Sequence, residues 1–157
     1  QYAFPEAQVS ASDISLDALE VGTINCAKHD LTDELTLYQS DLFHAIPAQK
    51  FDLIVSNPPY VDAADMANLS EEFRLEPRLG LEAGTNGLDI VDQILVQAQY
   101  YLSDNGLLVV EVGNSQPAMM EKYETLPLSW IDFEHGGGGV FCITAEELKQ
   151  YFLLAEK

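Results

Sequence analysis

The tetrapeptide Asn57-Pro58-Pro59-Tyr60 gathers the residue types in this chain best suited to chemistry. Neither proline has a backbone donor and both fix φ, so the segment is held rigid and extended. Their carbonyls stay available as acceptors. Asn57 adds a side-chain carbonyl acceptor and two donors, and Tyr60 adds a flat apolar face. Together they make a slot for a planar group bearing an NH2, such as a carboxamide or an exocyclic base amine. The competing reading is an ordinary strand-ending turn. The β-prone run FDLIVS (51–56) directly before it favours the slot, because open α/β sheets bind ligands beyond the carboxyl ends of their strands.

Two acids follow other strand-like runs. Asp13 ends the run VSASD (9–13). An acid at such a place accepts hydrogen bonds from ribose hydroxyls in nucleotide-binding α/β folds, or it caps the next helix. Asp41 follows LTLYQ (35–39) and is either an acceptor for an adenine amino group or a solvated loop acid. Leu42 beside it packs on an adenine face or enters the core. Glu111, late in an aliphatic run before Gly113, supports the ligand edge or only ends its strand. Gly136 to Gly139 are not a phosphate loop, since neither GKS nor GKT follows and a strand comes next. They predict a flexible hairpin. His29, His44 and His135 share no ligand spacing, and Cys26 and Cys142 lie far apart with no CxxC, so no metal site is expected.

These residues need an alternating frame, and the chain has one. Strands are expected over 9–13, 35–39, 51–56, 107–112, 129–133 and 140–144. A helix opens near Ser15, with Asp13 or Ser15 as N-cap and Leu16, Leu19 and Ala27 on its buried face. Further helices are expected over 88–102, 116–123 and 145–154, a turn at Asp104-Asn105-Gly106, and mostly loop over 61–86. Alternation of strand and helix implies a parallel sheet covered by helices on both faces. The last strand pair is joined too briefly for a parallel crossover, so it should be antiparallel.

Seven basic against 26 acidic side chains give a net charge of −19 over 157 residues, one domain's length. Such a surface disfavours binding to a phosphate backbone, which takes Lys and Arg, but admits a basic protein partner. Plain solubility is the simpler meaning of the charge. A 47% apolar content excludes wholesale disorder, and no apolar run nears the roughly 18–20 residues that span a membrane. Reduced cysteines and the lack of a visible signal peptide suggest the cytoplasm.

The motifs carry a resemblance. Ser56-Asn57-Pro58-Pro59-Tyr60-Val61, with Asp13-Ile14-Ser15 before it and Glu111-Val112-Gly113 after it, resembles the protein glutamine methyltransferases (the HemK/PrmC-like family) that use S-adenosylmethionine. Within that family, EFRLEPRLGLEAGTNGLD (72–89) and FEHGGGGVF (133–141) resemble the PrmB-type branch. That branch acts on a large-subunit ribosomal protein; a sister branch acts on peptide release factors. The resemblance implies a class I S-adenosylmethionine-dependent, Rossmann-like α/β sheet, mostly parallel with an antiparallel C-terminal hairpin. It implies methyl transfer to a glutamine amide nitrogen. Asn57 and Pro58 would accept the amide hydrogens, and Pro59 and Tyr60 would line the substrate slot. Asp13 would hold the ribose, Asp41 and Leu42 would sit near the adenine, and Asn57 would border the cofactor.

The family also carries a first strand followed by a D-x-G-x-G-x-G loop, and a helical substrate domain. None of these is present in residues 1–157, which therefore resemble the carboxyl-terminal part of the enzyme, a partial catalytic domain. The absent strand belongs at the sheet's centre, between the strands starting at Val9 and Phe51. These residues alone should then bind S-adenosylmethionine more weakly than a longer protein. Two rivals stand beside this reading: a DNA adenine methyltransferase, which uses a similar tetrapeptide on a flipped base, and a non-catalytic fragment that only binds protein.

Overall fold

The computed structural model describes residues 4–60 and 87–155, so the segment 61–86, most of the stretch 72–89 included, lies outside the described residues. The chain forms two compact units, Gln1–Gln49 and Lys50–Lys157.

The first unit is a strand–helix–strand crossover. β1 (Val9–Asp13) and β2 (Leu35–Gln39) pair in parallel, Val9 opposite Leu35 and Asp13 opposite Gln39. α1 (Leu16–Lys28) joins them. Both candidate caps act at its start. Ser15 Oγ accepts from the Ala18 N–H at 3.3 Å, and Asp13 Oδ1 accepts from the Ser15 N–H at 2.8 Å. Such short polar side chains satisfy amides that the first helical turn leaves unpaired. The last turn carries Lys28, whose charge suits the negative end of the helix dipole. Asp30 then takes a left-handed φ of 56° as the chain turns away. The expected apolar face is rotated. Leu16 and Ala27 are exposed, whereas half-buried Leu19 and Gly22 line up with buried Cys26. The spacing i, i+3, i+7 makes that one stripe. Small residues dilute the apolar pattern of α1, so the sequence alone left its inward side ambiguous.

The second unit is a four-stranded sheet in the order β3-β4-β6-β5. β3 (Phe51–Ser56) runs parallel to β4 (Leu102–Glu111). β6 (Val140–Thr144) is antiparallel to both β4 and β5 (Ser129–Ile131), as the short final connection requires. Asp104-Asn105-Gly106 does not form a separate turn. β4 carries it as an irregularity where the register jumps, Phe51 facing Leu102 and Leu53 facing Leu107. β5 stops two residues earlier than expected.

Three helices complete this unit: α2 (Asp89–Tyr101), α3 (Gln116–Lys122) and α4 (Ala145–Ala155). One sheet face is buried through Leu108 and Val110 of β4 with Phe141 and Ile143 of β6. Val91, Ile94, Leu95 and Ala98 of α2 and Leu148 of α4 are buried with them. Trp130 meets Phe141 edge to face, with ring centroids 5.6 Å apart. On the opposite face Leu53 is 43% exposed and Val55 69%. Among the described residues β1 pairs with β2 alone and β3 with β4 alone.

Two polar devices tie the helices of the second unit. Tyr123 donates its hydroxyl to Asp92 Oδ1 at 2.7 Å and Lys122 Nζ reaches Asp92 Oδ2 at 2.5 Å, linking the end of α3 to α2. At the start of α4, Thr144 Oγ1 accepts from the Glu147 N–H at 3.3 Å, while Glu147 Oε2 accepts from the Thr144 N–H at 3.0 Å. That reciprocal pair is a capping box. Among the described residues no helix is long and apolar enough to cross a membrane.

Candidate functional site

Each unit carries part of the residues singled out in the sequence. In the first, Asp13 and Asp41 come together at the carboxyl ends of neighbouring parallel strands. Ser40 fastens the two ends. Its N–H donates to the Asp13 carbonyl at 3.0 Å, and its Oγ accepts from the Ala45 N–H at 2.9 Å. Ser40 is 5% exposed, one of two buried polar residues among those described. It escaped sequence reasoning because a serine after a strand looks like any loop residue. Asp13 spends Oδ1 on the Ser15 amide and remains exposed. Capping therefore does not consume the carboxylate, and the same side chain can cap α1 and accept from a ligand. Asp41 is also exposed. His44 donates from Nδ1 to the Asp41 carbonyl at 2.8 Å, which fixes that loop by its backbone and leaves the carboxylate outside. Leu42 is half-buried and sits at φ 48°. A left-handed Leu is costly for a side chain with a Cβ.

In the second unit the tetrapeptide follows β3 with no intervening residue. Asn57 is exposed, Pro58 buried, and Pro59 and Tyr60 half-buried. The prolines end the strand because they lack the N–H that would extend its ladder. The Tyr60 carbonyl accepts from Ser115 Oγ at 2.9 Å. The Tyr60 ring lies against Gly113, where a Cβ would stand 2.7 Å from Tyr60 Cζ. Gly113 has φ 47°, so both its conformation and its missing side chain are used. Behind it, a Cβ on Gly139 would come within 2.6 Å of the Gly113 amide nitrogen, and the Gly139 carbonyl accepts from the Val112 N–H at 2.6 Å. The glycine run expected to be a flexible hairpin thus has its last member packed on the segment that supports Tyr60. The only sequence signal was the run of glycines, which does not say what it lies against.

Glu111 stands at the end of β4 opposite Val140, half-buried, on the strand that leads into Gly113. His29 and His135 are exposed. Among the described residues no three His, Cys, Asp or Glu side chains are grouped to hold a metal.

A strand end carrying an acid, a parallel neighbour with a second acid, and an Asn-Pro-Pro-Tyr segment directly after a third strand form a pattern that can be compared with known proteins. The family model of the methyltransferase small domain matches residues 1–84. The chain belongs to the methyltransferase small domain family.

Relatives of this family member include the ribosomal protein uL3 glutamine methyltransferases of Francisella tularensis and Bordetella pertussis. The first is 48% identical over 148 residues, covering 94% of this chain and 47% of its own length. The second is 44% identical over 146 residues, covering 93% and 49%. The chain spans about half the length of these curated relatives. Among solved structures, the ribosomal protein L11 methylase from Lactobacillus delbrueckii subsp. bulgaricus matches with a TM-score of 0.55 at 18% identity, over 91% of this chain and 59% of that one. A putative rRNA-methylase from Clostridium thermocellum matches with a TM-score of 0.53 at 15% identity, over 87% and 72%. These likenesses show the α/β methyltransferase fold.

Proposed function

We propose that residues 1–157 are part of the catalytic domain of an S-adenosylmethionine-dependent protein glutamine methyltransferase, acting in the cytoplasm on a large-subunit ribosomal protein. The observation that carries this reading is the exposed Asn57 at the head of a fixed Pro58-Pro59-Tyr60 segment, directly after β3. The names of the two relatives above add the substrate class, uL3.

The chemical problem is an amide nitrogen whose lone pair is delocalised. S-adenosylmethionine supplies an electrophilic methyl group on a sulfonium. Asn57 Oδ1 and the Pro58 carbonyl accept the two amide hydrogens and aim the nitrogen. Acceptors placed there also favour the positive charge that develops on nitrogen during transfer. Tyr60 and Pro59 pack on the flat amide. The methylated nitrogen is acidic enough to release its proton to water, so no side chain is needed as a dedicated base. Exposed Asp13 and Asp41 suit ribose hydroxyls and the adenine amino group, with Leu42 beside the base. These acceptors therefore fit the cofactor's nucleoside end.

The test is transfer of labelled methyl groups by the full-length protein. Label on a glutamine of uL3, lost when that glutamine is replaced, is the expected result. Label on adenine in DNA, with none on protein, would replace this reading with the base-methylating one.

A further inference from the structure

Three features stand out in the second unit. A shallow cavity of about 460 Å³ is lined by Thr125, Pro127, Gln150, Tyr151 and Leu154, but its one carboxylate, Glu147, is already committed to capping Thr144. The Asp92, Lys122 and Tyr123 cluster is satisfied within itself. The contact of Tyr60 with Gly113 and Ser115 has a different character, because it bears on the acceptor segment from two independent directions.

We propose that Gly113 and Ser115 are positioning residues for methyl transfer, setting the orientation of Tyr60 and through it the amide slot. The inference rests on the reading of Asn57 and Pro58 as the amide's acceptors.

Ser115 acts on the backbone of the segment. Its hydroxyl donates to the Tyr60 carbonyl at 2.9 Å across 55 positions of sequence, and the residue is 7% exposed. Gly113 acts on the side chain, since it leaves only hydrogen where the ring of Tyr60 lies. Gly139 backs Gly113, so the platform under the ring is main chain on main chain. Backbone packed in this way has no rotamers to adjust. Among the described residues the segment is thus held by its prolines, by the Ser115 hydroxyl and by the glycine surface at Gly113, and Gly87 also packs on the Tyr60 carbonyl. None of Gly113, Ser115 and Gly139 needs to touch the amide to matter, because a displacement of about 1 Å in a positioning group can lower a rate on the order of a hundredfold.

The experiment measures kcat, KM for the protein substrate, KM for S-adenosylmethionine and thermal midpoint in the full-length protein. It covers Ser115→Ala, Ser115→Thr, Gly113→Ala, Tyr60→Ala and the Gly113→Ala/Tyr60→Ala pair. Ser115→Ala should lower kcat by about tenfold or more, on the scale of such displacements, with KM for S-adenosylmethionine unchanged. Ser115→Thr, which keeps the donor, should recover most of it. Gly113→Ala should lower kcat by a similar factor, and should lower it much less once Tyr60 is already Ala, because the ring it displaces is gone and only the strain of a left-handed Ala remains. Full multiplication of the two losses, or a kcat that follows the thermal midpoint across all variants, would overturn the proposal and leave these residues structural. Asn57→Ala run in parallel separates the failures. If it keeps full turnover, the acceptor reading itself is wrong; if it is inactive while Ser115→Ala and Gly113→Ala are normal, only the positioning role is.

Discussion

The ring of Tyr60 occupies the space that a Cβ on Gly113 would need, with Cζ 2.7 Å from that point. A residue on the loop after β3 is thereby seated on the backbone that leaves β4, its parallel neighbour. Parallel pairing puts both carboxyl ends at one edge of the sheet, which is why two segments so far apart in sequence can meet there.

Asn57→Ala should reduce methyl transfer by on the order of 10²–10³ in kcat, the usual cost of removing one oriented polar group from a transition state. The side chain is exposed, so the fold should be unaffected. Turnover measured with labelled methyl donor, beside the thermal midpoint, checks both parts. Near-normal turnover would remove Asn57 from the mechanism.

Transfer to the substrate should slow as salt is added. With 26 acids against seven bases, the chain attracts a basic protein over distances that salt screens. Initial rates at subsaturating substrate, from low to physiological ionic strength, test it. A rate that holds or rises with salt would mean that recognition does not use this charge.

Asp92→Ala should cost stability mainly through Tyr123. The part-buried hydroxyl bond to Asp92 involves a charged acceptor, worth about 1.5–3 kcal/mol. The Lys122 pair joins an exposed Lys122 to half-buried Asp92 and contributes about 0–1 kcal/mol. Lys122→Ala should therefore be the milder change in a urea titration, and the reverse ranking would contradict the assignment. Burial and then the Asp92 hydrogen bond push the Tyr123 hydroxyl well above its ordinary 10.0. The folded state holds a proton that the unfolded chain loses, so this contribution is complete below pH 10 and is lost as the pH rises beyond it.

Thr144→Ala should destabilise by about 1 kcal/mol, the typical cost of an N-cap. The Thr144 hydroxyl and then its amide hold the Glu147 carboxyl below its ordinary value of 4.5. A depressed carboxylate stabilises above the unfolded value and ceases to do so as pH falls through the folded one. The difference between wild type and Thr144→Ala, measured by denaturation, should therefore shrink below pH 4.5. A difference unchanged down to the lowest pH would show that the carboxylate takes no part.

The elements were legible because their signals are local. FDLIVS reads as a strand from its own residues, the two prolines stop it, and the short link into Val140 allows only an antiparallel pair. Asp13, Asp41 and Asn57 could be singled out because each ends a strand or lies close behind one. The tertiary structure alone decided what those signals leave open. It turned α1 so that Cys26 rather than Leu16 is buried, since a helix diluted with small residues has no dominant stripe. It also absorbed Asp104-Asn105-Gly106 into β4, because pairing with β3 outweighed the local turn preference. The seat of Tyr60 on Gly113, backed by Gly139 and tied by Ser115, joins positions 60, 113, 115 and 139. A glycine in a sequence records that a side chain is absent, and only packing shows which neighbour takes its place.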